Sequence, residues 1–302
     1  MSEIGLSELA ASARLDEQKL KHQRVREFLE DEQYDGLLLE NRENFSWYTT
    51  GGSNLLGAAG ETCASLFLTA KDAVAVIQEP HVDRMVEEQL QGLMLEVKRV
   101  PCNRDLTPYL ERLRRGLRTA SDGGTLGTAK EDVKLARLRI ALTPLERDRY
   151  GEFGRLLSHA VEATARTFER GETEAEIAGQ LAHRLIKRGI TPLELHVAGD
   201  DRLGQFPRPV YTQRPVERRC WVVAVAEYYG LCAVTGRMIS FGKPDKTFRT
   251  DCEDCSKAAA AGIYFAQPGV SGSELHEKMS RRYEKMDRKA DVDRAPWGCV
   301  TG

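Results

Sequence analysis

Six side chains that could do chemistry cluster around one β-rich stretch, WVVAVAEYYGLCAVTGRMISFG (221–242). Glu227, Tyr228 and Arg237 lie on it, and His196, Asp200 and Arg208 come shortly before it. An imidazole or a carboxylate can move a proton, so His196 and Glu227 are the candidate catalytic groups. The planar fork of Arg237 suits a substrate carboxylate, and Tyr228, Arg208 and Asp200 complete the candidate substrate contacts. Each has a plainer alternative. A histidine in an apolar run such as LELHVAG (193–199) is more often packed or hydrogen-bonded than catalytic. Arg237 can simply pair with a nearby acid, and loop acids such as Asp200 and Asp201 are usually solvated.

Other motifs point to less. Cys252-Glu253-Asp254-Cys255 is a C-x-x-C at an expected helix start, where the helix end could lower a thiol pKa. No second Cys or His pair accompanies it, so a zinc site lacks ligands, and inert thiols are the favoured reading. Gly51, Gly52, Gly57 and Gly60 are not followed by G-K-[ST], so they read as turns and not as a phosphate cradle. The remaining histidines (22, 81, 159, 183, 276) all fall on expected helices.

The elements that must position the six residues follow from periodicity. Residues 16–31 read as a helix and 35–40 as a buried strand. TCASLFLTA and AVAVIQ read as two strands around Lys71-Asp72. Residues 80–91 read as a helix, 93–101 as a strand, 107–117 as a helix, and TLGTA (125–129) as a last strand. Alternating strands and helices define an α/β domain over 1–130, followed by a helical connector at 131–142. Thr143-Pro144-Leu145-Glu146 then opens a second domain, 143–302, with a cap, a proline at the first helical position and an acid at the third. A long helix runs to about Phe168, Thr173 and Glu176 form the capping box of the next, and a strand, a polar loop (200–217) and the hairpin follow.

The pattern then restarts. Gly269-Val270-Ser271-Gly272-Ser273-Glu274-Leu275 echoes Gly171-Glu172-Thr173-Glu174-Ala175-Glu176-Ile177, each after a helix ending in Phe. The order helix–Gly–cap–helix points to an internal duplication, with halves at about 145–247 and 250–302, the second incomplete. On this reading the second half should continue beyond residue 302 by about forty residues of strand.

At 302 residues there is room for two cores. The net charge of −2 with 30% charged residues argues against a nucleic-acid binder. No apolar run reaches membrane-spanning length. The N-terminus does not resemble a signal peptide. Seven scattered cysteines suit reduced thiols, so a cytoplasmic location is expected.

Taken in order, these features resemble the pita-bread superfamily of aminopeptidase P, prolidase, creatinase and methionine aminopeptidase. KHQRVREFLEDEQYDGLLLENRENFSWYTTGG (21–52) is similar to the start of a creatinase-type N-terminal domain. ERGETEAEIAGQL (169–181) is similar to the family's PG-x-T-E-x-E-I, and GDDRLGQFPRP to the loop before its metal hairpin. The resemblance implies an α/β creatinase-like domain followed by an α+β pita-bread domain. It also implies a dinuclear site of two Asp, one His and two Glu, holding Mn²⁺, Co²⁺ or Zn²⁺ to activate a bridging water. Aligning Gly230 with the hairpin glycine puts one aspartate position at Val234 and the other near Val223 to Val225. The histidine falls near Pro296 or Trp297, within APWGCVTG, and the glutamates after residue 302. The expectation is therefore no metal ligand in this chain, and a divalent pair only if that alignment is wrong. Three functions remain open: an Xaa-Pro peptidase-family protein of doubtful activity, a metal-free creatinase-like hydrolase of a small amide or amidine, and a pseudoenzyme binding a peptide or partner. The resemblance further implies a homodimer through the N-terminal domain, with a small peptide or amide as ligand and neither nucleic acid nor membrane as partner.

Overall fold

The computed structural model describes residues 3–56 and 60–292, with side chains from Ala11 onward. APWGCVTG and the expected histidine position lie outside the described residues. The chain forms two compact units: the residues up to Phe153 together with Glu227–Cys232, and Gly154–Ala226 together with the residues from Ala233 on. The division falls inside a helix, and the tip of the hairpin goes with the first unit.

The first unit is an α/β fold built on strands β1 (Gly36–Leu39), β4 (Ala64–Thr69), β5 (Ala73–Gln78), β6 (Glu96–Val100), β7 (Thr119–Ser121) and β8 (Ala129–Lys130), with a small ribbon of β2 (Leu55–Leu56) and β3 (Glu61–Thr62). The main sheet has the order β6-β5-β4-β1-β7-β8. β1 is antiparallel to β4 and parallel to β7. Helix α1 (Glu3–Asp31) starts well before residue 16, because the preceding ELAASARL is made of good helix formers. Val25, Phe28 and Leu29 of α1 join Leu37, Leu39, Phe45, Tyr48, Leu66, Leu68 and Ile77 in one core.

Two expectations fail here. The last strand is not TLGTA. The strand beside β1 is β7 at Thr119–Ser121, pairing Gly36 with Thr119, while Thr125–Gly127 is a 3-10 turn with Leu126 at φ +55° and only Ala129 of TLGTA enters the last strand, β8. Strand choice was settled by buried parallel pairing with β1, which local pattern does not reveal. The segment 80–91 is not a regular helix either: α3 (Val82–Arg84) follows a 3-10 turn and runs into a π turn at Met85–Gln89. Helices α2 (Arg42–Tyr48), α4 (Thr107–Leu113) and α5 (Asp132–Ile140) complete the unit.

Helix α6 (Pro144–Thr167) begins as its sequence predicts. The Glu146 amide donates to Thr143 Oγ1 (3.1 Å) and the Thr143 amide to Glu146 Oε2 (2.8 Å). Glu146 does more than cap. With Glu17 it flanks Lys21, a fully buried ammonium 2.7 Å from Glu146 Oε1 that also donates to the Trp47 carbonyl at 2.7 Å.

The second unit carries α7 (Glu174–Ile186), β9 (Thr191–Gly199), β10 (Arg219–Tyr228), β11 (Leu231–Ser240), α8 (Lys246–Phe265) and α9 (Gly272–Lys285). The three strands form one sheet in the order β11-β10-β9. Val222, Ala224 and Ala226 are fully buried, as are Val161 of α6 and Leu181 and Leu185 of α7. The intervening residues of β10 therefore point to the opposite face of the sheet.

The duplicated outline appears in three dimensions. Gly171 (φ +95°) and Gly269 (φ +87°) both adopt the left-handed backbone two residues before a cap. Thr173 Oγ1 accepts from the Glu176 amide and Ser271 Oγ from the Glu274 amide. In the first copy Glu176 returns the bond to the Thr173 amide at 2.7 Å. In the second, Glu274 pairs instead with Lys278. Helix α8 starts four residues earlier than its periodicity predicts, because Asp245 caps it by accepting from the Phe248 amide at 2.9 Å. Cys252 consequently sits in the second turn and not at the helix end. Burial, with the adjacent Cys252, pushes the Cys255 thiol up, which favours the inert form.

Candidate functional site

The hairpin closes through Tyr229 (φ +51°) and Gly230 (φ +78°), the two left-handed residues of a type I′ turn. A two-residue turn fixes the register, setting Val225 opposite Val234 and Val223 opposite Gly236. The amide of Phe241, which donates to the Arg218 carbonyl at 2.8 Å, continues the same register. A Cβ on Gly236 would lie 2.6 Å from Val223 Cγ2, as expected of a directly opposed pair. The alignment by Gly230 puts the aspartate positions at Val234 and near Val223 to Val225, and of these Val223, Val225 and Val234 share the face opposite fully buried Val222, Ala224 and Ala226. None of the three has a donor atom.

Of the four predicted residues in the second unit, His196 and Arg208 share a partner in Glu194, while Asp200 and Arg237 have partners of their own. His196 lies on that same sheet face, its ring parallel to Trp221 with centroids 6.4 Å apart. Nδ1 is 3.1 Å from the Pro209 carbonyl oxygen and Nε2 is 2.9 Å from Glu194 Oε2. Arg208 reaches the other oxygen of Glu194 at 4.0 Å. Glu194 therefore links His196 and Arg208, and both ring nitrogens of His196 already have partners. Asp200 adopts φ +49° and accepts from the backbone amides of Glu217 (2.8 Å), Arg218 (2.8 Å) and Arg219 (2.9 Å), pinning both ends of the polar loop. Burial opposes its charge, but these donors together outweigh it and hold the carboxyl below the usual aspartate range. Arg237 is committed to Glu162 of α6, with Nε at 2.7 Å and Nη2 at 2.6 Å, while Nη1 donates to the Gly236 carbonyl at 2.8 Å. Glu227 and Tyr228 belong to the first unit. Glu227 pairs with Arg42, and Tyr228 packs on Phe153 (5.7 Å) and Tyr229 (4.5 Å).

Residues that sequence reasoning passed over do the positioning. Glu174, 1% exposed, accepts from the Gly199 amide (2.8 Å), the Thr212 amide (2.8 Å) and Thr212 Oγ1 (2.7 Å), and pairs with Arg202. Arg202 in turn donates to the Val210 carbonyl at 2.8 Å. This buried pair fastens the loop carrying Arg208 to the start of α7. In sequence Glu174 looks like an ordinary first-turn acid, and only its Thr173 neighbour hinted at a role.

The dinuclear site does not fit these residues. Valines occupy the hairpin positions, and among the described residues no group of three or more His, Cys, Asp or Glu could hold a metal ion. Among those residues no helix is long and apolar enough to cross a membrane.

With that geometry in place, the relatives are informative. Residues 148–296 match metallopeptidase family M24. The structure resembles the prolidase from Pyrococcus horikoshii OT3 (17% identity, 93% of this chain and 84% of that one, TM-score 0.73). It also resembles an Xaa-Pro dipeptidase from Bacillus anthracis (16% identity, 90% and 79%, TM-score 0.69). A third likeness is to the N-terminal domain of the FACT complex subunit SPT16 from Cicer arietinum (11% identity, 91% and 79%, TM-score 0.65). At such identities the likeness to these three is one of fold. No curated protein matches the sequence. The chain has the fold of the prolidase-like pita-bread proteins, and residues 148–296 carry the match to metallopeptidase family M24.

Proposed function

We propose that this chain is a non-catalytic member of its family, a pseudoenzyme that binds a peptide on the open face of the β9–β11 sheet without hydrolysing it. The observation that carries this reading is the apolar character of Val234 and of the stretch Val223 to Val225, where the resemblance would place a carboxylate pair to hold metal. The surroundings support it. Asp200 and Arg237 are held by protein groups, and the open face offers Trp221, Val225 and Val234 as apolar contact. A metal-free hydrolase would need a ring nitrogen of His196 turned to substrate, and both are engaged by Pro209 and Glu194. An extended peptide against a sheet face is recognised by shape and apolar pockets more than by charge.

The test is hydrolysis of Xaa-Pro dipeptides by the purified chain with Mn²⁺, Co²⁺ or Zn²⁺ in excess, followed by desalting and elemental analysis. The expected result is no metal-dependent turnover and no retained metal, with saturable binding of proline-containing peptides by calorimetry. Metal-dependent cleavage together with about two retained ions per chain would overturn it.

A further inference from the structure

Buried donors without an acceptor gather beside the hairpin turn, all within the first unit. Trp47 of α2 is 8% exposed, and its indole Nε1–H has no hydrogen-bond partner among the described residues. Nε of Arg139, on α5, is also buried and also lacks one. Both side chains line a cavity of about 20 Å³, together with Ser46, Arg149, Gly230 and Leu231. The turn lies close against α2 here, since a Cβ on Gly230 would come 2.2 Å from Ser46 Oγ. A buried donor left unpaired is destabilising, so native structures nearly always supply an acceptor, from protein, water or an ion.

The protein itself has little acceptor capacity to spare at this point. Glu146 reaches the cavity, but its Oε1 lies 2.7 Å from Lys21 and its Oε2 accepts from the Thr143 amide at 2.8 Å. Glu43, also on the lining, is exposed and in no ion pair among the described residues. The charges are unbalanced as well. Lys21 lies between Glu17 and Glu146, so that trio carries one excess negative charge. Arg139, Arg149 and the neighbouring Arg14 are in no ion pair among the described residues. Arg14 donates to carbonyls and to Thr50 Oγ1, and Arg149 Nη1 donates to the Thr50 carbonyl at 2.8 Å. Burial, and after it the charge of Arg149, lower the pKa of Arg14. Three guanidiniums without a carboxylate outweigh the trio and Glu43 together.

We propose that this cavity binds a single halide ion, chloride, held by the indole N–H of Trp47 and the guanidinium of Arg139. Size and charge select the class. The space admits one particle not much larger than water, which excludes phosphate, sulfate and any organic acid. A water could accept from both donors but would then need acceptors for its own protons, and those of Glu146 are taken. A halide accepts from every direction and offsets the excess positive charge. Arg149, stacked on Tyr229 with its guanidinium carbon 4.6 Å from the ring centroid, carries the link to the turn. The ion therefore fastens the hairpin turn to α2, and the stability of that junction depends on chloride. No residue of the open sheet face takes part, so the proposal stands whether or not a peptide binds there.

The test compares thermal unfolding of the full chain with that of Trp47→Phe, which keeps an aromatic ring and removes the donor. Each is measured over a series of sodium chloride and of sodium gluconate concentrations, gluconate being too large for the cavity. General salt effects act on both proteins alike. The gap between their midpoints should therefore widen with chloride and stay constant with gluconate. The variant should need about tenfold more chloride for the same stabilisation, as expected for one lost hydrogen bond to a charged group. Crystals of the wild type grown with bromide require no variant to fold, and should show one anomalous peak within hydrogen-bond distance of Trp47 Nε1 and Arg139. A midpoint gap that is the same in chloride and gluconate would overturn the proposal, as would a bromide-grown crystal with only a water in the cavity. A bromide peak with no chloride dependence in solution would mark an adventitious ion only, and would overturn it too.

Discussion

Replacing Glu174 tests whether the loop over the open face is held as the structure implies. The carboxylate is buried and satisfies three donors besides the Arg202 guanidinium. Glu174→Ala leaves Arg202 as a buried cation without its counter-charge, and the Gly199 and Thr212 amides without an acceptor. Breaking a buried ion pair from one side costs about 3–5 kcal/mol, and each orphaned amide adds about 1–3 kcal/mol where water cannot reach it. Relaxation of the loop recovers part of this, so a net loss of about 3–5 kcal/mol is the expectation. The assay is urea unfolding combined with hydrogen exchange. Exchange should accelerate first at Gly199 and Thr212, whose amides point at Glu174, before α7 itself is affected. Glu174→Ala combined with Arg202→Met removes both charges and should recover much of the stability, since a hydrophobic replacement of a whole buried pair is often neutral. A loss below about 1 kcal/mol for the single variant, or unchanged exchange at the two amides, would refute the argument.

Three further outcomes follow from other residues. Asp200 has a folded-state pKa below its unfolded value, so its contribution is present above the unfolded value near ~3.9 and is lost as pH falls through the folded one. The stability difference between wild type and Asp200→Asn should therefore be flat near neutrality and shrink in acid, measured by urea unfolding at a series of pH values. Gly230→Ala places a methyl 2.2 Å from Ser46 Oγ in a left-handed backbone, and should cost more than the ~1–2 kcal/mol of backbone strain alone, read as a lowered unfolding midpoint. Thr173→Ala removes a cap that is part of a full box and should cost about 1 kcal/mol, against a smaller loss for Ser271→Ala where the return bond is missing, compared by thermal unfolding.

What the sequence disclosed was whatever is local. The helix starts at Pro144 and Glu174, the hairpin turn at Gly230 and the repeated Gly-cap outline depend on contacts a few residues long, and they were readable. The choice of Thr119–Ser121 over TLGTA as a strand was not, because it depends on pairing with Gly36–Leu38 more than eighty residues away. The candidate site was half legible for the same reason. Residue types alone placed valines on the hairpin at the positions the resemblance assigns to carboxylates. The roles of Asp200, Glu174 and Glu194 were hidden, since their partners lie on other segments: Asp200 with the amides of 217–219, Glu174 with Thr212, and Glu194 with Arg208. Lys21 makes the point most sharply. One lysine on a mostly polar helix gives no hint of being buried between Glu17 and Glu146.

The hairpin's packing explains why the proposed absence of metal chemistry would leave the fold intact. Its strands have two faces with different obligations. Val222, Ala224 and Ala226 are sealed against the helices, and any of them replaced by a polar group would leave that group buried without a partner. Trp221, Val223 and Val225, with Val234 and Gly236 across the ladder, lie on the other face, where exposure ranges from 8% at Val223 to 50% at Val234. Carboxylates on that face would add mutual repulsion unless a metal offset it, so replacing them with valine removes a cost and leaves the core untouched. The loop is secured separately, by Glu174 and Asp200, neither of which lies on the hairpin. Fold stability and metal binding therefore reside in different residues of the same strands.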